Sequence, residues 1–356
     1  MAMKTLPNVE FDRLRSALDK NSLVVCLGPG ISAAAGLPTR GEFVGAAIQA
    51  ARDLAVPVSS RKLQAIEQQL ASEADYTVLL GALEDACGRP ALAQVVTQVL
   101  ARNLIDPPSC APAPVLGVLG VLARLASHLH LVVDTNLDRL GLRAFEAAGT
   151  GWPGHYALRR SSAARSRRVV KLCGDLQQGR ELWLATREDL SRAALRPAFK
   201  NFATALLCGH VVLFLGFRAD DPVLDWFVGL APGAFDQDEP PQHIALVPPS
   251  AAMALARKPW AKRGVTLLPL GSGEEDHIDT VCELLQRLAP EVTSGVGVGS
   301  GVDAGATLRE DAEGSPYPGL ERFDEDRAAF FFGRDVDVDD ALTRLEDDPE
   351  DRRSRG

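Results

Sequence analysis

The sequence contains no C-x-x-C pair, no G-x-x-x-x-G-K-[ST] loop and no long uninterrupted apolar run. Its six cysteines, Cys26, Cys87, Cys110, Cys173, Cys208 and Cys282, are scattered, so neither a disulfide framework nor a zinc knuckle is written in their spacing. They read as reduced thiols, mostly in a core. A membrane span needs roughly 18 or more apolar residues. The best candidate, residues 115–133, is interrupted by Arg124, Ser127, His128 and His130. The first residues, MAMKTLPNVEFDRLR, place Asn8, Glu10 and Asp12 where a secretory signal has its apolar segment, so a cytoplasmic address without membrane attachment is expected. An excess of positive charge is also missing. Residues 1–302 carry 30 acidic and 30 basic side chains, and residues 303–356 carry 17 and 8, so the net charge of -9 belongs to the last 54 residues. A neutral body without a basic stripe argues against direct nucleic-acid binding. The one basic run, Arg159, Arg160, Arg165, Arg167 and Arg168, reads as a solvated loop.

What is present is an alternation of short apolar runs with longer helical patterns over the first 290 residues, the signature of an α/β fold. Strands are predicted at Leu23–Leu27, Leu129–Val133, Val169–Leu172, Val211–Leu215, His243–Val247 and Val265–Leu268. The expected architecture is a doubly wound, mostly parallel, Rossmann-like sheet. A helical insertion is expected at about 55–127, with helical runs at 61–87, 91–104 and 115–126. TSGVGVGSG at 293–301 has no side chains able to build a core, which places a flexible linker at 291–314. A short acidic helical tail follows at 315–356, with Phe330, Phe331 and Phe332 and then apolar residues at helical spacing. About 40 residues are too few to fold alone.

The sharpest motif is the apolar run Leu23–Leu27 leading into Gly28-Pro29-Gly30-Ile31-Ser32, then Ala33 to Gly36. Glycines there permit a tight turn and close backbone approach to a pyrophosphate, and a structural turn is the alternative. An ordinary dehydrogenase fingerprint is disfavoured, because no third glycine stands at its spacing, although Gly36 imitates one. Three later strand ends carry polar motifs where open α/β sheets bind ligands. These are Asp134-Thr135-Asn136-Leu137-Asp138, Lys171-Leu172-Cys173-Gly174-Asp175 and Gly216-Phe217-Arg218-Ala219-Asp220-Asp221-Pro222. Helix capping is the competing account of Asn136 and Asp138, and of Asp220 and Asp221 before Pro222.

Together, GPGIS-AAAGLP, TNLD, the K-L-x-G turn and the strand ending GFRADDP resemble the sirtuin (silent information regulator) family, in the compact form of bacterial anti-phage defence proteins. The resemblance runs from Ser22 to Pro222 and onward to about Leu288. It implies NAD as ligand or substrate, with Gly28, Gly30, Ser32, Gly36, Thr135, Asp138, Gly216 and Phe217 as binding residues and Asn136 beside the nicotinamide ribose. It implies cleavage of the nicotinamide–ribose bond, an NAD glycohydrolase that depletes NAD. The family's base is the His of K-L-H-G, where this chain has Cys173. Cysteine accepts protons well only as thiolate, so slow turnover is expected; His155 reads as a surface or core histidine, with a substitute base as the lesser alternative. The four-cysteine zinc module of the deacylating members is missing, which disfavours deacylation and a zinc cofactor. The alternative is a module that binds NAD or ADP-ribose without turnover, as a sensor or assembly unit. SPYPGLERFDEDRAAFFFGRDVDVDDALTRL is similar to the lead-in of STAND-type NTPases, without their phosphate-binding loop. This implies the truncated start of an NTPase module at 315–356 and homo-oligomerisation through its missing remainder; an acidic helix docked on the body is the other reading.

Overall fold

The computed structural model describes residues 6–56, 58–71, 75–102, 113–152, 154–155, 167–175, 183–231, 242–249, 260–273 and 276–289. The expected linker and tail at 291–356 lie outside the described residues, as does most of the basic run at 159–168.

Seven strands, β1 (Leu23–Leu27), β2 (Leu129–Asp134), β3 (Gly154–His155), β4 (Val169–Lys171), β5 (Val211–Leu215), β6 (His243–Val247) and β7 (Val265–Pro269), form one sheet in the order β3-β4-β2-β1-β5-β6-β7. Every pairing is parallel. Six of these strands are the predicted ones, within a residue or so at their ends. The seventh, β3, is a two-residue edge piece too short to leave a pattern.

Strand periodicity explains the layering. Along β1, Leu23, Val25 and Leu27 enter one core and Val24 and Cys26 the other. A strand buried on both faces must be apolar throughout, and LVVCL is. One face is covered by α1 (Asn8–Asp19), the helices between β1 and β2, α8 (Leu140–Ala147) and α12 (His277–Leu288). The helices between β1 and β2 are α2 (Pro29–Ala34), α3 (Arg40–Asp53), α4 (Ser60–Ala71), α5 (Tyr76–Cys87), α6 (Arg89–Arg102) and α7 (Ala113–Arg124). The other face is covered by α9 (Arg187–Ala194), α10 (Pro197–Gly209) and α11 (Pro222–Gly229). The doubly wound parallel architecture is thus present.

Two details of the helical segment differ from expectation. It starts at Arg40 rather than near 55, because α3 packs on α4, α5 and α6 although its alanine-rich sequence has weak amphipathicity. The run 61–87 is two helices, and Asp75 caps the second by accepting from the Thr77 amide at 2.8 Å.

Candidate functional site

Chain reversal places β2 and β4 on one side of β1 and β5 on the other, so their carboxyl ends meet where doubly wound sheets open a crevice. The turn after β1 and the turn after β5 fill the base of that crevice. The Gly28 amide donates to Leu215 O at 2.8 Å and the Gly30 amide to Gly216 O at 2.7 Å. A Cβ at Gly30 would stand 2.7 Å from Gly216 O, and Gly216 itself has φ +73° with Ile31 N 2.7 Å from where its Cβ would be. These glycines are therefore required by two backbones pressed together. Gly30→Ala is expected to destabilise the protein by about 2 kcal/mol, the mid-range cost of overpacking, as a lowered melting temperature. Gly36, at φ +90°, ends α2. Phe217 lies in the core, edge-on to Phe214 at 5.9 Å.

Above this base, the end of β2 builds a buried polar cluster. Lys171 on β4 is fully buried, and its Nζ donates to Asp134 Oδ2 at 2.9 Å, to Asn136 O at 2.6 Å and to Asp138 O. An ammonium with three acceptors satisfies its donors and fixes the path of 134–138. Asp134 Oδ1 accepts from the Asn136 amide at 3.0 Å. Burial pushes the Asp134 carboxyl up, with the Lys171 charge opposing. Thr135 anchors the loop to β1, its amide and Oγ1 both donating to Leu27 O at 3.1 and 2.9 Å. Asn136 Nδ2 donates to Gly28 O at 3.2 Å, which leaves Oδ1 as its group for a ligand. Ser32 Oγ donates to Asp138 Oδ2 at 2.7 Å, and Asp138 Oδ1 accepts from the Leu140 amide at 2.9 Å. Asp138 thus accepts at both oxygens, one from the first amide of α8 and one from Ser32. Asp221, by contrast, spends Oδ1 on the amides of Val223 and Leu224 at the start of α11, as capping predicts.

Ser32, Thr135, Asn136 and Asp138 line one cleft. Its opposite wall is apolar and comes from the helical segment: Leu37, Phe43, Tyr76 and Leu80. None of these four stood out in the sequence, because a cleft wall and a core helix face use the same residue types. Leu184 and Ala185 close a third side. Arg89 holds that segment: its guanidinium donates to Trp183 O at 2.7 Å and pairs with Asp189 at 2.8 Å and Glu84 at 2.9 Å.

Cys173 is buried in a cluster with Leu190 and Val223 against Tyr76, Leu137 and Leu184; Val223, Tyr76, Leu137 and Leu184 line the cleft, and Cys173 itself is not among the residues lining it. Burial, reinforced by the Asp134 and Asp189 charges against the pull of Lys171, pushes its thiol up to about 12. A thiol that stays protonated cannot accept a proton at neutral pH, which removes the physical basis for expecting a base there. The side chain of His155, the alternative base, lies outside the described residues. Among the described residues, no group of three or more His, Cys, Asp or Glu could hold a metal ion, and no helix is long and apolar enough to cross a membrane.

Residues 130–268, from β2 to the end of β7, match the family model of the SIR2-like domain. A solved structure described as the structural basis for the mechanism and regulation of Sir2 enzymes is similar at 15% identity and a TM-score of 0.37, covering 80% of this chain and 99% of its own. No curated protein matches the chain.

Proposed function

We propose that this chain binds NAD with the nicotinamide ribose over Asn136 and cleaves the nicotinamide–ribose bond. The observation that carries the reading is the buried cluster at the end of β2. Asp134, Asp138 and Lys171 together bring two carboxyl groups and one ammonium into one buried cluster, of which Asp138 lines the cleft. The excess of carboxylate suits a ligand whose ring is cationic and whose ribose gains positive charge as the bond breaks. Preorganised groups in such a site act most strongly on developing charge. The apolar wall of Phe43, Tyr76 and Leu80 suits a flat ring, and the match to the SIR2-like domain supports the same ligand class. Asn136 Oδ1 is the group to hold a ribose hydroxyl or the attacking water, and Thr135 keeps that loop against β1.

The binding roles of Gly28, Gly30, Gly36, Gly216 and Phe217 belong to this proposal in a modified form: they shape the crevice floor rather than offer free amides, since the Gly28 and Gly30 amides already have acceptors. Also proposed are a domain at 1–290, a linker at 291–314, the start of a STAND-type NTPase module at 315–356, and a role in anti-phage NAD depletion after assembly through that module. A second reading, an NAD or ADP-ribose binding module without turnover, is favoured by the burial of Cys173, which pushes its thiol up to about 12.

Calorimetric titration with NAD and nicotinamide release followed by NMR test both. The expected results are saturable binding and slow release, with Asn136→Ala reducing release at least tenfold, as removal of one oriented polar group does. Binding without release selects the second reading. Absence of binding removes both.

A further inference from the structure

A water attacking the ribose carbon must lose a proton, and the cleft offers few acceptors. Cys173 is buried against Val223 and Leu190 and is not among the residues lining the cleft, while Asp134 is engaged by Lys171. Asp138 is the one carboxyl among the described residues lining the cleft. The Leu140 amide occupies only Asp138 Oδ1, and Asp138 Oδ2 is taken by Ser32, a residue 106 positions away in sequence. A hydroxyl has one donor and two acceptor lone pairs. With its donor aimed at Asp138, Ser32 Oγ can present only lone pairs to the cleft it lines.

We propose that Ser32 and Asp138 form the proton relay of this site. The inference rests on the NAD-cleavage reading. As the C–N bond breaks, its electron pair leaves with neutral nicotinamide. Water oxygen then bonds to the ribose carbon, its proton passes to Ser32 Oγ, and Ser32 passes its own proton to Asp138 Oδ2. Solvent later takes the proton from Asp138, so NAD and water give ADP-ribose, nicotinamide and one proton. Carboxylates serve as bases for water attacking oxocarbenium-like sugars in glycoside hydrolysis, where the electrophile is strong enough to need no stronger base. Ser32 is the catalytic residue in this scheme, and Asp138 acts through it.

The test follows nicotinamide release from the full chain between pH 6 and 10, with calorimetric NAD binding and melting temperature for every variant. Ser32→Ala is expected to lower release by about a hundredfold to ten-thousandfold, the worth of positioned acid–base catalysis, with the fall in kcat rather than KM. Asp138→Asn should fall alike, and Ser32→Thr, which keeps a hydroxyl, should recover most of the rate. Ser32→Ala leaves the Leu140 cap intact, so it remains informative if Asp138→Asn misfolds. Among the described residues, the other titratable and charged groups around the cluster are Asp134 on β2, Arg139 next to Asp138, Lys171 on β4, Cys173 after it and Tyr76 on α5. The relay predicts no climb in rate between pH 7 and 10, where a thiol or phenol base would produce one. Such a climb, or release unchanged by Ser32→Ala, overturns the relay and leaves the hydrolase reading standing. No release from the unmodified chain at any pH overturns both, and calorimetry then decides whether NAD binding survives.

Discussion

Lys171→Met is expected to destabilise the protein by about 3–5 kcal/mol at pH 8, the cost of stranding one partner of a buried ion pair. Methionine fills much of the same volume, so the loss comes from polarity rather than from a cavity. Asp134 would keep its Asn136 amide but lose the ammonium, and the carbonyls of Asn136 and Asp138 would lose a buried donor. The penalty should shrink as pH falls. Burial already favours the protonated Asp134 carboxyl, and without Lys171 it does so more strongly, so the folded variant takes up a proton that relieves the stranded charge. Urea unfolding at pH 8 and 5.5 measures both effects. Adding Asp134→Leu should recover part of the loss at pH 8, since a buried pair replaced by apolar groups is often neutral. An equal destabilisation at both pH values would mean that Asp134 is not the stranded partner. Because Lys171 also holds the carbonyls that set the path of 134–138, residual folded variant should bind NAD poorly if Asn136 and Asp138 form the site.

The same residue marks the limit of what the sequence reveals. LVVCL reads as a doubly buried strand because its five residues are all apolar, and the polar runs after β2, β4 and β5 read as a ligand crevice because strand ends are where such sheets open. That Lys171 joins Asp134 across 37 positions, or that Gly30 presses on Gly216, depends on strand order, which no local pattern encodes. Gly30 carries the sharper lesson: a glycine needed for backbone approach looks the same whether the approaching group is a pyrophosphate or another loop. Cys173 is legible as a departure from the histidine of the sirtuin-like pattern, and only packing reveals that its thiol is buried with Leu190 and Val223 and absent from the cleft lining. The helix α3 escaped notice because alanine and glycine dilute its apolar stripe, although its burial is extensive.

Acidification should weaken the fold through His243, independently of the site. This residue opens β6 with no exposed surface, and its Nδ1 accepts from the Val212 amide at 3.2 Å. An accepting Nδ1 carries no proton, so charging the ring would set two N–H groups against each other as well as bury a cation. Burial accordingly pushes the imidazole down to about 4 from its ordinary value near 6.5. The folded state therefore refuses a proton that the unfolded chain accepts, and the stabilisation is complete above pH 6.5 and lost as pH falls toward 4. At about 1.4 kcal/mol per pH unit, the loss reaches roughly 3 kcal/mol. Carboxylates add their own dependence, so the measurement is a difference: denaturant midpoints between pH 7.5 and 4.5 for the unmodified chain and for His243→Gln, whose amide oxygen can still accept from Val212 and does not titrate. The variant should start less stable at pH 7.5 and lose less on acidification, so that the two curves converge. Parallel curves would mean that His243 is protonated in the fold, and with it the Val212 hydrogen bond as drawn would have to be abandoned.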